Sequence, residues 1–237
     1  MTEMYSIRAY WGPRKESIES CTVRAVDFFQ RVVDHGAFKS SWFKKGQSRR
    51  KALEQGINVL NREEIAELLN KGVNRRDLTK EAIKELGFHI NLWNGEKGRD
   101  VAALSLVCGN YSRAEGMGNN FILLELPEDL GGLSSSEQML RLFTIVIEVW
   151  RPERACVCSD DAADERNFDT GRHFVDWMVY VSGASLNPKY FPQAFGVLPA
   201  HSGTIIVVEP EAPNSSSTAH QQKVREIEHR LNRVLKT

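Results

Sequence analysis

What the sequence lacks narrows it first. No apolar run in its 237 residues approaches the roughly 20 that span a bilayer. The start, Met1-Thr2-Glu3-Met4-Tyr5-Ser6, has neither a basic stretch nor an apolar h-region, so no secretory leader is expected. There is no Gly-Lys-Ser/Thr phosphate loop, and Gly116-Met117-Gly118 lacks the third glycine and the strand–helix setting of a dinucleotide loop. Ser182-Gly183 and Ser202-Gly203 lack the nucleophile-elbow pattern. The four cysteines, Cys21, Cys108, Cys156 and Cys158, are too scattered for a disulfide framework. Cys156-Val157-Cys158 has no matching Cys/His pair at zinc spacing, so these two read as half-buried strand thiols in a reducing cytoplasm. Neither a cofactor nor a metal is expected. Net charge is also missing: 31 Lys+Arg balance 31 Asp+Glu.

What is present describes a globular chain with a sizeable core: 41% of residues are hydrophobic and 26% charged. The balanced charge is unevenly spread. Residues 1–99 hold 19 Lys+Arg against 13 Asp+Glu, residues 100–211 hold 7 against 16, and residues 212–237 hold 5 against 2. The middle of the chain therefore either builds an acidic face or carries an accidental surface excess.

Met4 to Trp11 alternates like a strand, ended by Gly12-Pro13. Ile18, Cys21, Ala25, Phe28, Phe29 and Val32 then recur at helical steps until Gly36. Ser41-Trp42-Phe43-Lys44-Lys45-Gly46-Gln47-Ser48-Arg49-Arg50-Lys51 sets an aromatic pair before a cationic run, which reads as an anchor in the core beside a solvated or partner-facing surface. A short helix is expected around Arg49–Gln55. Asn61 caps another that ends at Gly72, with Glu64 reaching back, and a third opens at Thr79 and ends at Gly87. Three helices thus separate the first strand from the second. Strands 88–93, 101–108 and 120–126 suggest an antiparallel meander, with Asn94-Gly95 as a turn. Ser134-Ser135-Ser136-Glu137 caps a helix to Trp150 that is apolar nearly all round and so buried. Strands follow at 155–159, 175–181 and 204–209, with a Pro-containing loop over 186–202. His173 and Asp176 read as divergent, the histidine facing solvent. The expectation is one α+β domain over 1–211, with a mainly antiparallel central sheet and flanking helices. Residues 212–237 supply a linker and a C-terminal helix packed on that domain or extending from it.

Asp160, Asp161, Asp164 and Glu165 form an acidic turn or loop without the spacing of a Ca²⁺ site. They read either as a solvated loop or, with Glu128 and Asp129, as contacts for a basic partner. Trp93 and Tyr111, at strand ends, are the next interface candidates. Two other readings use the same residues. A metal-dependent hydrolase or nuclease would gather the carboxylates, although no spacing selects Asp100, Glu125 and Lys97 for such work. An interaction module would use the basic Trp42 segment on a nucleic acid or an acidic protein, although no motif for specific nucleic-acid reading is present.

Several motifs in order resemble the immunity protein 52 family of bacterial polymorphic toxin systems. They are Trp11-Gly12; Ser41-Trp42-Phe43 with Gly46, Ser48-Arg49 and Ala52-Leu53; Asn74-Arg75-Arg76-Asp77; Leu86-Gly87-Phe88; Leu92-Trp93-Asn94-Gly95; Asn120 to Leu126-Pro127; and Val149-Trp150 with Pro152. The likeness runs from about residue 4 to residue 209. It implies a non-catalytic α+β protein of the cytoplasm that binds and neutralises a cognate toxin. That toxin would typically carry a restriction-endonuclease-like nuclease domain and be delivered by type VI or related secretion. The resemblance brings no toxin-contact residues with it.

Overall fold

The computed structural model describes residues 3–44, 49–112 and 119–235. Lys45, Gly46, Gln47 and Ser48 of the basic segment, and Gly116-Met117-Gly118, lie outside the described residues. The architecture is α+β, and every strand pair described below is antiparallel. The chain forms two compact units: Tyr10–Pro127, and Met1–Ala9 together with Glu128–Thr237. The first strand, β1 (Tyr5–Trp11), runs from one into the other and buries the alternating Tyr5, Ile7, Ala9 and Trp11.

In the unit Tyr10–Pro127, the helical stripe becomes α1 (Ile18–Asp34), which buries Cys21, Ala25, Phe28, Phe29 and Val32. The Ser17 side chain caps it by accepting from the Ser20 N–H at 3.1 Å. The structure then departs from the expected run of three helices. Ser41–Lys44 is a strand, β2, followed by the short α2 (Arg49–Leu53) and a further strand, β3 (Gly56–Asn58). The anchor is thus a strand flanked in the sheet by two strands that both come later in the chain: Trp42 pairs with Ile57 and Phe43 with Trp93 of β4 (Phe88–Trp93). Next, α3 (Arg62–Lys71) is capped by Asn61 as expected, but Glu64 reaches back to the N–H of Asn58 rather than of Asn61. Gly72 is where α3 closes on β4, since a Cβ there would lie 1.9 Å from the His89 carbonyl oxygen. No α-helix forms over residues 79–87. The segment carries an isolated bridge, Arg75 to Ala82, and a 3-10 turn at Lys84–Leu86; Ile83 and Leu86 are its only partly buried side chains, and Leu78 just before it stands in solvent, too little burial to hold an α-helix. The meander is present: β4, β5 (Ala103–Cys108) and β6 (Asn120–Glu125) pair in sequence order, and the sheet order is β3-β2-β4-β5-β6.

In the other unit, α4 (Ser136–Trp150) begins at the Ser135 cap and buries Met139, Leu142, Phe143, Val146, Ile147, Val149 and Trp150. It ends where Arg151 turns left-handed, at φ 49°, before Pro152. The strands β7 (Arg154–Ser159), β8 (Met178–Ser182), β9 (Gly196–Ala200) and β10 (Gly203–Val207) give the order β1-β7-β8-β10-β9. The expected loop over 186–202 therefore contains an edge strand. Pro199 is tolerated there because an edge can leave one position without an N–H. The C-terminal helix, α6 (Thr218–Val234), belongs to the core of this unit: Val224, Ile227 and Leu231 pack with Val179, Val181, Ile206 and Phe191. Two smaller expectations are corrected. Cys156 and Cys158 are fully buried, their sulfurs 3.9 Å apart. His173 is half-buried instead of solvent-facing.

Candidate functional site

The acidic stretch is not a loop. Asp160–Glu165 forms a short helix, α5, capped by Ser159, whose hydroxyl accepts from the Ala162 N–H at 3.1 Å. Six residues do not hold a helix by propensity. This one is held because Ala162 and Ala163 pack on Cys156, Cys158 and Phe174, and because its acidic first turn suits the helix N-terminus. Asp161, Asp164 and Glu165 are exposed, and the 161–164 and 161–165 spacings place them on one side of the helix.

Asp160 differs from its neighbours. Its Oδ1 accepts from the Arg8 guanidinium at 2.9 Å and from the Ser6 hydroxyl at 3.1 Å, and its N–H donates to the Met4 carbonyl. Arg8 in turn lies over the Phe168 ring. Asp160 therefore ties β1 to the start of α5 and is mostly spent on that task. Glu128 and Asp129 lie on the connection from β6 to α4, where the Asp129 carboxylate accepts from the Gly131 N–H. Trp93 and Tyr111 belong to the other compact unit. Trp93 tilts against Phe43 beneath the Arg49 guanidinium, and Tyr111 faces the Lys15 ammonium.

Beside α5 lies a concavity of about 280 Å³ lined by Glu165, Arg166, Asp176, Ser215, His220 and Arg225, among others. At its base Asp176 is 1% exposed and His220 4%. The Asp176 Oδ1 sits 2.9 Å from His220 Nε2, and Oδ2 accepts from the Ser159 N–H at 2.8 Å. On its other side His220 Nδ1 lies 3.5 Å from Glu209, which also holds Lys223 at 2.8 Å. This network pins α6 to the β7–α5 junction. Arg166 closes the wall: it donates to the Val175 carbonyl and to Glu228, and lies over Phe174. Burial raises the Glu228 carboxyl pKa, an effect that Arg166 partly offsets.

A serine, a histidine and an aspartate lining one concavity invite a nucleophile–base reading, and the geometry does not supply it. The Ser215 hydroxyl donates to Glu3 at 2.8 Å. Both imidazole nitrogens of His220 face carboxylates, so neither is placed to take a proton from serine. Among the described residues, no group of three or more His, Cys, Asp and Glu is placed to hold a metal ion.

Sequence reasoning missed Asp176, His220, Glu209, Arg166 and Glu228 as a set. One signal was available: Asp176 interrupts the apolar run Val175 to Val181, and a carboxylate there needs a buried partner. Which residue supplies that partner, 44 positions on, is not written locally.

The fold and the site together define an α+β protein that presents an acidic helix beside a concavity whose charged base is internally paired. Among its described residues, no helix is long and apolar enough to cross a membrane. The chain belongs to the Immunity protein 52 family, whose model matches residues 3–235. A solved structure, the Pseudomonas aeruginosa T6SS protein PA0821, shares the fold with a TM-score of 0.57 at 13% identity; the match covers 97% of this chain and 72% of that one. No curated protein matches.

Proposed function

We propose that this chain is a non-catalytic inhibitor that binds a cognate bacterial toxin, a nuclease, in the cytoplasm of the cell it protects. The observation that carries the reading is the family match over residues 3–235. The T6SS description of PA0821 is in keeping with a toxin delivered by type VI or a related secretion route. The acidic helix gives the physical basis for a nuclease partner. A cleft that binds DNA is basic, and Asp161, Asp164 and Glu165 offer it an exposed row of carboxylates on a helix whose backbone is already held. Asp160 supports the row from behind through Arg8.

The test is coexpression with the toxin encoded by the neighbouring gene. Cells carrying both should survive, and the two proteins should copurify as a stable complex. Equal killing with and without this chain, and no complex on mixing the purified proteins, would overturn the reading.

A further inference from the structure

The unit that carries α5 has a second surface of opposite sign. Tyr190 is 54% exposed and Phe195 62%, an unusual waste of aromatic area unless something covers it. Tyr190, Arg230, Arg233 and Val234 line a shallow concavity of about 360 Å³. Arg230 donates to the Tyr190 carbonyl at 3.3 Å, so the aromatic turn and the end of α6 are fastened together. Lys189 stands exposed one residue before Tyr190. Phe195 stands exposed five residues after Tyr190 in the same stretch of chain. The edge strand that follows carries Pro199, and a proline on an edge discourages strand addition. Recognition here therefore rests on side chains.

We infer that this surface docks a segment of the cognate toxin that presents an apolar side chain flanked by carboxylates. The inference rests on the immunity reading above. Two arguments select the occupant. The first is charge: an apolar hollow bordered by Lys189, Arg230 and Arg233 fits an acidic rim around an apolar knob. The second is continuity with the acidic surface: α6 contributes His220 and Arg225 to the concavity beside α5, and Arg230, Arg233 and Val234 to this one. From His220 to Val234 the helix rises roughly 21 Å, at ~1.5 Å per residue. That span lies within one interface of ordinary size. A single partner can therefore touch both surfaces, with its basic cleft on α5 and an acidic, apolar element at the end of α6.

The experiment measures affinity between the full chain and the neighbouring-gene toxin for four proteins: wild type, Tyr190→Asp with Arg233→Glu, Arg233→Glu alone, and Asp161→Lys with Asp164→Lys. Thermal melts check that each is folded. The single variant changes one exposed side chain and serves if the double variant is unstable. Both α6-end variants should bind at least tenfold more weakly while melting like wild type. Wild-type affinity in these variants, with the α5 variant weakened, overturns this inference and leaves the immunity reading standing. Sedimentation showing that they dissolve a dimer of this chain, with toxin affinity unchanged, assigns the surface to self-association and also overturns it. No binding by wild type removes both readings at once.

Discussion

Trp42 is 1% exposed, its ring 5.5 Å from that of Phe38 and 5.9 Å from that of Phe29, and its indole N–H donates to the Lys39 carbonyl. Removing the ring leaves a cavity that neighbouring backbone cannot close. Trp42→Ala should therefore cost about 3–5 kcal/mol in a urea denaturation series. A neutral result would show that the site collapses or that the ring is not core. His173 makes a second prediction at this scale. Burial, with Arg154 nearby, lowers its pKa from 6.5 to about 4. Between those values the unfolded chain binds a proton that the folded chain does not, so this group makes stability fall as pH drops from about 6.5 to about 4, and no further below. His173→Gln should flatten that part of the stability–pH curve. Denaturation at pH 7 and at pH 4.5 measures it, and an unchanged slope would place the acid sensitivity elsewhere.

At the scale of elements, α5 separates two roles among adjacent carboxylates. Asp161→Lys, Asp164→Lys and Glu165→Lys together should leave folding intact, slow toxin association at low ionic strength by about tenfold, and weaken its salt dependence. Stopped-flow mixing across a salt series reads both effects, and identical rates and slopes would move the interface off α5. Asp160→Asn should instead lower stability by about 1–3 kcal/mol, because half-buried Arg8 loses its charged acceptor. The sequence presents all four carboxylates as one run, and nothing local marks Asp160 as the one engaged by β1. The same contrast holds for whole elements. The cap Asn61, the capping pattern around Ser135, the stripe of α1 and the meander β4-β5-β6 are readable because each signal lies within a few residues. By contrast, β2, β3 and β9 are short, and β9 contains a glycine and a proline, so their strand state comes from the partners they pair with. In the opposite direction, residues 79–87 look like an α-helix and form only a single 3-10 turn, because Ile83 and Leu86 are the only side chains there that are even partly buried.

On the scale of the whole molecule, the zero net charge conceals two units of opposite sign. Residues 10–127 carry 19 Lys+Arg and 15 Asp+Glu, while the remaining residues carry 12 and 16. The C-terminal helix belongs to the negative unit and holds part of its core, so a chain truncated after residue 211 should lose the Val224–Ile227–Leu231 packing. Such a chain should show no cooperative melt for that unit, and Ile227→Ala alone should cost about 2–5 kcal/mol. A truncated chain that melts like the full one would make α6 an accessory. Taken alone, the sequence determined the α+β class, the main caps, most of the core and the family, because periodicity, capping and motif order are carried by neighbouring residues. Tertiary structure alone decided which carboxylates are free and which are tied, that Asp176 and His220 meet, and that Tyr190 shares a surface with Arg230 and Arg233. Those outcomes depend on which distant segments touch, and a buried charge finds its partner through the fold, not along the chain.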